Sequence, residues 1–284
     1  MKRFWIRLLF FSIISSHILY TQNLKALVPL YYFPKTKSLN QEALSIGKKA
    51  YQLLYFGQFK DSLNLAKLAI AINDKNESLW IILADTQVAN KLYKEALISL
   101  TRAKELNPQL AEIYFAKSTI YLKQSKLKKA KNSLQSGIKI LPENFNAIFQ
   151  LGNIYLMEKN YEKALEEYNN AIKIKKDFWQ AINNKGLAYY ELNNINLATI
   201  SFKKALSFEE NAEPMFGLAS CLRTKDINKA IVLAKKALVK EPKYVDYNYR
   251  KEQLWGEKIQ SSTEELFSNN QLENEILLAK RKIN

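Results

Sequence analysis

The sequence contains few of the residues that carry out acid–base, nucleophilic or metal chemistry. Its 284 residues include one histidine, His17, and one cysteine, Cys221. A single cysteine excludes an internal disulfide and a cysteine-cage metal site, and a single histidine removes most histidine-based chemistry. Seven glycines also leave little room for glycine-rich phosphate loops. The sequence therefore predicts a protein that is not an enzyme and that holds neither a cofactor nor a metal.

The remaining polar candidates have structural interpretations. Cys221 falls on a predicted helix, where a buried thiol is the expected role. Three pairs of adjacent glutamates lie on predicted helices, and neighbours in sequence point in different directions from a helix. We expect solvated or helix-start charges at these pairs, which are Glu166–Glu167, Glu209–Glu210 and Glu264–Glu265.

The composition indicates a folded, helical chain. Apolar residues make up 48% and charged residues 25% of the sequence, which is ordinary for a globular protein. Only six prolines and seven glycines occur, so a turn-dense all-β fold is close to excluded. The length allows one large domain or two small ones.

The net charge of +16 has two explanations. It can attract nucleic acid, anionic lipid or an acidic protein, or it can reflect drift toward lysine in an AT-rich coding sequence. Residues 113–142 contain no acidic residue, which makes them the place to look for an anionic partner. The predicted basic patch in this stretch consists of Lys126, Lys128, Lys129 and Lys131.

The amino terminus is typical of a targeting segment. Lys2, Arg3 and Arg7 precede an apolar run over residues 8–20, and His17 inside it is an incidental polar residue. Residues 1–26 are predicted to be a cleaved signal peptide or a retained membrane anchor, with a soluble core helix as a third interpretation. Membrane association would then run through residues 4–20. The expected location is membrane-anchored or exported, in a periplasm or thylakoid, with the cytoplasm as the alternative.

A repeat runs through the middle of the chain. Small residues recur at intervals of 34 residues, with a last interval of 32, at Ser62, Ala96, Ala130, Ala164, Ala198 and Ala230. A second small series follows seven residues later, from Ala69 to Ala237. Within residues 145–178, two apolar stripes at helical spacing flank the short polar segment MEKN. Each repeat is therefore predicted to be a pair of helices joined by a tight turn.

This period and pattern resemble the tetratricopeptide repeat family. The resemblance implies an all-α fold, a right-handed superhelix (an α-solenoid) of about six helix pairs. The units are residues 43–76, 77–110, 111–144, 145–178, 179–212 and 213–244. Residues 27–42 are predicted to be a linker that packs on the first unit or lies at a bilayer. Residues 245–284 are predicted to form C-terminal capping helices, with Tyr247, Leu254 and Ile259 turned inward.

The resemblance places the functional surface on the concave side, which the first helix of each unit lines. The corresponding positions here are Tyr51, Tyr55, Ile81, Asp85, Phe115, Thr119, Lys123, Phe149, Asn153, Asn183, Leu187, Tyr190 and Glu191. Aromatic rings and amides suit a peptide better than a phosphate backbone. The alternative for Phe115 and Phe149 is packing between repeats.

The expected function is a non-enzymatic scaffold that binds a protein or peptide on this face. Segments FWQAINNKGLAYYELNN at 178–194 and YRKEQLWGEKIQ at 249–260 resemble tetratricopeptide proteins of cyanobacteria and plastids, some of which assist photosystem assembly. Two alternatives stay open: a basic nucleic-acid-binding repeat protein, against which the mostly neutral groove counts, and a non-catalytic adaptor subunit of an enzyme complex.

Overall fold

The computed structural model describes residues 36–283, and in this range every regular element is a helix. The predicted all-α class is therefore confirmed for the described part of the chain. The chain divides into two compact units between Asn90 and Lys91. This division falls inside the predicted unit 77–110, between its two helices.

The first unit contains three described helices. They are α1 (Thr36–Tyr55), α2 (Phe59–Ile72) and α3 (Glu77–Ala89), and α1 packs against both others. Because α1 begins at Thr36, residues 36–42 of the predicted linker are helical. The remaining residues of the predicted linker and the whole segment 1–26 lie outside the described residues. Among the described helices, none is long and apolar enough to cross a bilayer.

The second unit contains the other repeats and the C-terminal segment. Its repeat helices are α4 (Tyr93–Leu106), α5 (Ala111–Lys123), α6 (Leu127–Ile140), α7 (Phe145–Met157), α8 (Tyr161–Ile174), α9 (Trp179–Glu191), α10 (Ile195–Phe208), α11 (Ala212–Leu222) and α12 (Ile227–Lys240). Three helices follow: α13 (Tyr247–Glu252), α14 (Glu257–Phe267) and α15 (Glu273–Ile283). Short 3₁₀ turns at Pro242–Val245 and Asn270–Leu272 separate them from their neighbours.

The same backbone turn closes the first helix of successive pairs. Ser125, Lys159 and Asn193, spaced 34 residues apart, adopt left-handed φ values of 57°, 57° and 62°. In each case the backbone N–H of the residue after the turn residue donates a hydrogen bond to the carbonyl four residues before the turn residue, at 2.8–2.9 Å. This pattern satisfies carbonyls that the helix end leaves without a partner. The turns therefore repeat with the same period as the small residues.

Asparagines begin several of the helices. The side chains of Asn144, Asn160 and Asn194 each accept a hydrogen bond from the backbone N–H three residues later. These residues start α7, α8 and α10. A side-chain acceptor at this position offsets one of the unpaired N–H groups of the first turn.

Small residues set the distance between paired helices. Ala130, Ala164 and Ala198 have no exposed surface. Gly152 faces the ring of Tyr168, and a Cβ atom placed on Gly152 would lie 2.7 Å from Tyr168 Cε1. Aromatic rings therefore fill the space that the missing side chains leave between the helices.

Enlarging one of these residues should separate a helix pair. The substitution Ala164→Leu is expected to lower the free energy of unfolding by about 1–3 kcal/mol, because extra methyl groups in a packed core force neighbouring side chains out of place. Urea unfolding followed by circular dichroism measures the change. Glu166→Leu is the matched control, since Glu166 is exposed on the same helix. Equal stability of the Ala164→Leu variant and the parent would contradict the assigned packing.

Candidate functional site

The first unit exposes an aromatic group at the end of α1. Tyr55 is 83% exposed and Tyr51 is also exposed, and the ring of Tyr55 lies 5.5 Å from that of Phe56. Ile81 and Asp85 on α3 are partly buried. Burial raises the pKa of Asp85 to about 6. Of the four predicted contact residues in this unit, the two tyrosines are exposed and the other two are partly exposed.

In the second unit, α5 presents a mixed surface. The ring of Phe115 packs against Gly137 of α6, which leaves the side chain partly buried. Thr119 is exposed, and its hydroxyl donates to the carbonyl of Phe115 at 3.2 Å. Lys123 is exposed at the end of the helix. The accessible part of α5 is therefore polar, with one edge of an aromatic ring beside it.

The corresponding residues of α7 take part in the core of the repeat. The ring centroid of Phe149 lies 4.9 Å from that of Phe178 and 5.8 Å from that of Tyr168. Asn153 Oδ1 accepts from the Tyr168 hydroxyl and from Asn184 Nδ2, both at 2.9 Å. Phe149 and Asn153 are each partly exposed. The aromatic packing that the sequence left as an alternative is present, and part of each side chain still faces outward.

The structure corrects the expectation for α9. Asn183 and Leu187 have no exposed surface and Tyr190 is 4% exposed. Tyr190 is covered by α14, in the C-terminal segment, which packs on α9 and α11. Asn183 is hydrogen-bonded to Asn184, its neighbour on α9, and Leu187 lies in the core, so none of the three is open to a partner in this conformation.

A buried carboxylate holds the start of α14. Glu191 accepts hydrogen bonds from the backbone N–H of Ile259 at 3.0 Å and of Lys258 at 3.3 Å. Lys258 Nζ also donates to the carbonyl of Glu191 at 2.5 Å. A Cβ on Gly256 would overlap the Glu191 carboxylate, so glycine at this position gives the carboxylate room to approach the start of α14. Glu191 thus caps a helix that is 67 residues further along the chain.

Hydroxyl groups and an indole complete the contact. The Tyr190 hydroxyl donates to Ser262 Oγ at 2.7 Å, and the hydroxyls of Ser220 and Thr263 are hydrogen-bonded at 3.0 Å. The indole N–H of Trp255 donates to Glu213 at 3.2 Å. None of these residues entered the predicted site except Tyr190. The hydroxyl run at 261–263 after Gly256 was the available signal.

Arg250 organises the C-terminal segment from inside. This guanidinium is fully buried, donates to Gln260 Oε1 and to the carbonyl of Tyr244, both at 2.7 Å, and pairs with Glu264. Ile259 is buried as predicted, whereas Tyr247 is exposed. Glu264 is an ion-pair partner in the last turn of α14 and not a helix-start charge, because α14 begins at Glu257, and Glu265 likewise pairs with Arg223.

The basic patch is only partly free. Lys126, Lys128 and Lys129 are exposed. Lys131 differs, because its Nζ lies 2.6 Å from a carboxylate oxygen of Glu158. Three of the four predicted cations are therefore exposed, and the fourth is neutralised by a carboxylate from outside the acid-free stretch.

Cys221 is buried, as its helical position predicts. Burial raises the pKa of its thiol to about 11, so the thiol stays protonated at neutral pH. Among residues 36–283, no group of three or more His, Cys, Asp or Glu side chains is placed to hold a metal ion.

Removing the Glu191 carboxylate should loosen α14. In a Glu191→Ala variant the N–H groups of Lys258 and Ile259 lose their acceptor, which costs about 1–3 kcal/mol for buried donors. Hydrogen exchange should accelerate over residues 257–267 and stay unchanged in α7. Glu162→Ala, which removes an exposed carboxylate, is the control. Unchanged exchange in α14 would show that the cap does not hold this helix.

Glu213 should make stability depend on pH. Burial raises its pKa from 4.5 to about 7. The folded state therefore keeps a proton that the unfolded state has lost, and the free energy of unfolding should fall as pH rises from about 4.5 to about 7. Glu213→Gln keeps an acceptor for Trp255 and should reduce the loss of unfolding free energy between these pH values by on the order of 1–3 kcal/mol. Asp85 contributes a slope of the same sign in both proteins, so urea unfolding of the pair isolates Glu213. Parallel pH profiles would contradict the assignment.

Family models match parts of the second unit. Residues 152–193 match a model described as TPR repeat, and residues 111–144 and 180–211 match one described as tetratricopeptide repeat. A comparison with curated proteins gives no match.

Solved structures extend the likeness in fold. The crystal structure of MamA is 27% identical with a TM-score of 0.52, over 61% of this chain and 92% of that one. The structure of pilF from Pseudomonas aeruginosa is 15% identical with a TM-score of 0.65, over 75% and 98%. YrrB is 18% identical with a TM-score of 0.51, over 68% and 98%. The chain thus contains tetratricopeptide repeats over residues 111–144 and 152–211, and its fold resembles that of these solved structures.

Proposed function

We propose that the protein is a non-enzymatic scaffold that binds a protein or peptide partner through its second unit. The binding face is the surface formed by Phe115, Thr119 and Lys123 of α5 and by Phe149 and Asn153 of α7, here called the α5–α7 surface. The observation that carries the proposal is that these residues are exposed or partly exposed, whereas the equivalent residues of α9, Asn183, Leu187 and Glu191, are buried.

The chemistry of the α5–α7 surface suits a polypeptide. The partly exposed rings of Phe115 and Phe149 offer apolar contact area, and their packing in the repeat core keeps them rigid. Rigid aromatic groups lose little conformational entropy on binding. Thr119 and Lys123 add a hydroxyl and a cation that remain in water.

The exposed lysines favour an acidic partner. Lys126, Lys128 and Lys129 follow Lys123 at the turn into α6 and are all exposed. Cations arranged at the edge of a contact surface accelerate the approach of a negatively charged partner more than they tighten the complex.

The structural comparison gives limited support. YrrB is described as a TPR protein with an unusual peptide-binding site. At 18% identity this likeness shows the fold alone, so peptide binding by the present chain rests on its own surface.

The proposed setting is a membrane-anchored or exported assembly factor of the photosystem kind. Its support is the sequence resemblance at 178–194 and 249–260 and the targeting segment 1–26. The segment at 249–260 includes Trp255 and Gly256, which hold the docked C-terminal segment.

A charge placed on the α5–α7 surface should prevent partner binding. Full-length protein with Thr119→Glu is expected to lose at least tenfold in affinity for a partner captured from native membranes by the parent, because the carboxylate repels an acidic partner and disrupts the contact. The dissociation constant is measured with the purified partner.

Thr101→Glu is the matched control for this experiment. Thr101 is exposed on α4, and its hydroxyl donates to the carbonyl of Leu97, as Thr119 donates to that of Phe115. Equal loss in both variants, or loss in neither, would contradict the proposed surface. RNA or DNA binding that weakens steeply with salt would instead favour the nucleic-acid alternative.

A further inference from the structure

A cavity of about 320 Å³ lies between α7 and the C-terminal segment. Its apolar lining comes from Leu156 and Met157 at the end of α7, Tyr161 at the start of α8, and Leu254 and Trp255 before α14. Met157 is 46% exposed, so an apolar side chain stands at an accessible position here.

The cavity continues the α5–α7 surface. Leu156 and Met157 follow Asn153 by three and four residues on α7, and residues at this spacing lie on the same face of a helix. Phe149, Asn153 and Met157 therefore form one line along α7. A peptide bound along that line reaches the cavity at its end.

The walls of the cavity are held in place before any partner arrives. At the exposed rim, Lys159 Nζ lies 2.7 Å from Glu257 Oε1. Glu191 caps α14 on the same side, and Trp255 is anchored by its bond to Glu213. A preformed pocket binds a side chain without the cost of ordering its own walls.

The charged residues that line the cavity favour the binding of an acidic segment. Glu191 is committed to the backbone of α14, and Glu257 is paired with Lys159. Lys251, which also lines the cavity, is exposed on α13. Lys126, Lys128 and Lys129 stand at the start of α6, whose Lys131 pairs with Glu158 just after α7, so further exposed cations lie near the cavity end of this line.

We propose that this cavity is the anchor pocket for one large apolar side chain, such as Phe, Leu or Met, of an acidic peptide that lies on the α5–α7 surface. The proposal rests on the function proposed above and names the chemistry of its partner. The volume is at the lower end of the roughly 300–1,000 Å³ of ligand pockets, which fits a single large side chain.

The test measures the affinity of full-length protein for fluorescein-labelled nonapeptides by fluorescence anisotropy. Each peptide has one variable central residue with four acidic residues on either side. Peptides with a central Phe, Leu or Met should bind at least tenfold tighter than the peptide with a central Ala. Replacing the acidic residues by lysine should abolish binding. Equal binding of the Phe, Leu, Met and Ala peptides, or no binding of any acidic peptide, overturns the pocket.

Two variants locate the binding. Met157→Glu should weaken binding of the best peptide at least tenfold, whereas Ile200→Glu, which places the same charge at an exposed apolar residue of α10, should leave it unchanged. If Thr119→Glu blocks the captured partner while Met157→Glu leaves peptide binding intact, the anchor pocket is wrong and the scaffold function stands. If neither variant has an effect on its ligand, both proposals fail.

Discussion

Close approach of helices at residues without large side chains is the constraint on which the second unit depends. Gly152 faces the ring of Tyr168 and Gly186 that of Phe202, each at a distance that leaves no space for a Cβ atom. The position of the aromatic side chain is fixed because its ring fills the gap, and the spacing of the two helices is fixed because the ring cannot move outward. The faces left over, on the other side of the first helices, are then the ones available for contact. The position of any binding surface is thus a consequence of the small-residue series.

Those remaining faces are not equivalent, and polarity separates them. The face of α9 and α11 carries Tyr190, Glu191 and Ser220, which cannot be buried without hydrogen-bond partners. The C-terminal segment supplies these partners as hydroxyls and backbone N–H groups. The α5–α7 surface lacks such an occupant within the described residues, and its polar groups Thr119 and Lys123 remain in water. The polar groups of α9 and α11 therefore fit a permanent occupant, whereas α5 and α7 present a surface that is complete without one.

The sequence predicts what is local and misses what is distant. Helices, their turns and the buried alanines follow from a 34-residue period, because each helix pair packs chiefly on its neighbours in the chain. The family resemblance placed Asn183, Leu187 and Tyr190 in an open groove, since register alone cannot show that residues 256–263 return to pack on α9. Lys131 was counted as a free cation for a similar reason: its partner, Glu158, lies 27 residues away in the next repeat. Side-chain hydrogen bonds between hydroxyls carry no periodic signal, so the docking of α14 is visible only in the folded structure.

The C-terminal segment has two effects that follow from one set of contacts. By covering α9 and α11 it removes their polar face from solvent, and by placing Leu254 and Trp255 beside α7 it forms one wall of the cavity. Both effects depend on Glu191 and Gly256, which fix where α14 begins. Deleting the segment would therefore expose one surface while destroying part of another, and a change in binding after truncation has two causes. Point substitutions on α5 and α7 avoid this ambiguity, because they leave the contacts of the C-terminal segment with α9 and α11 in place.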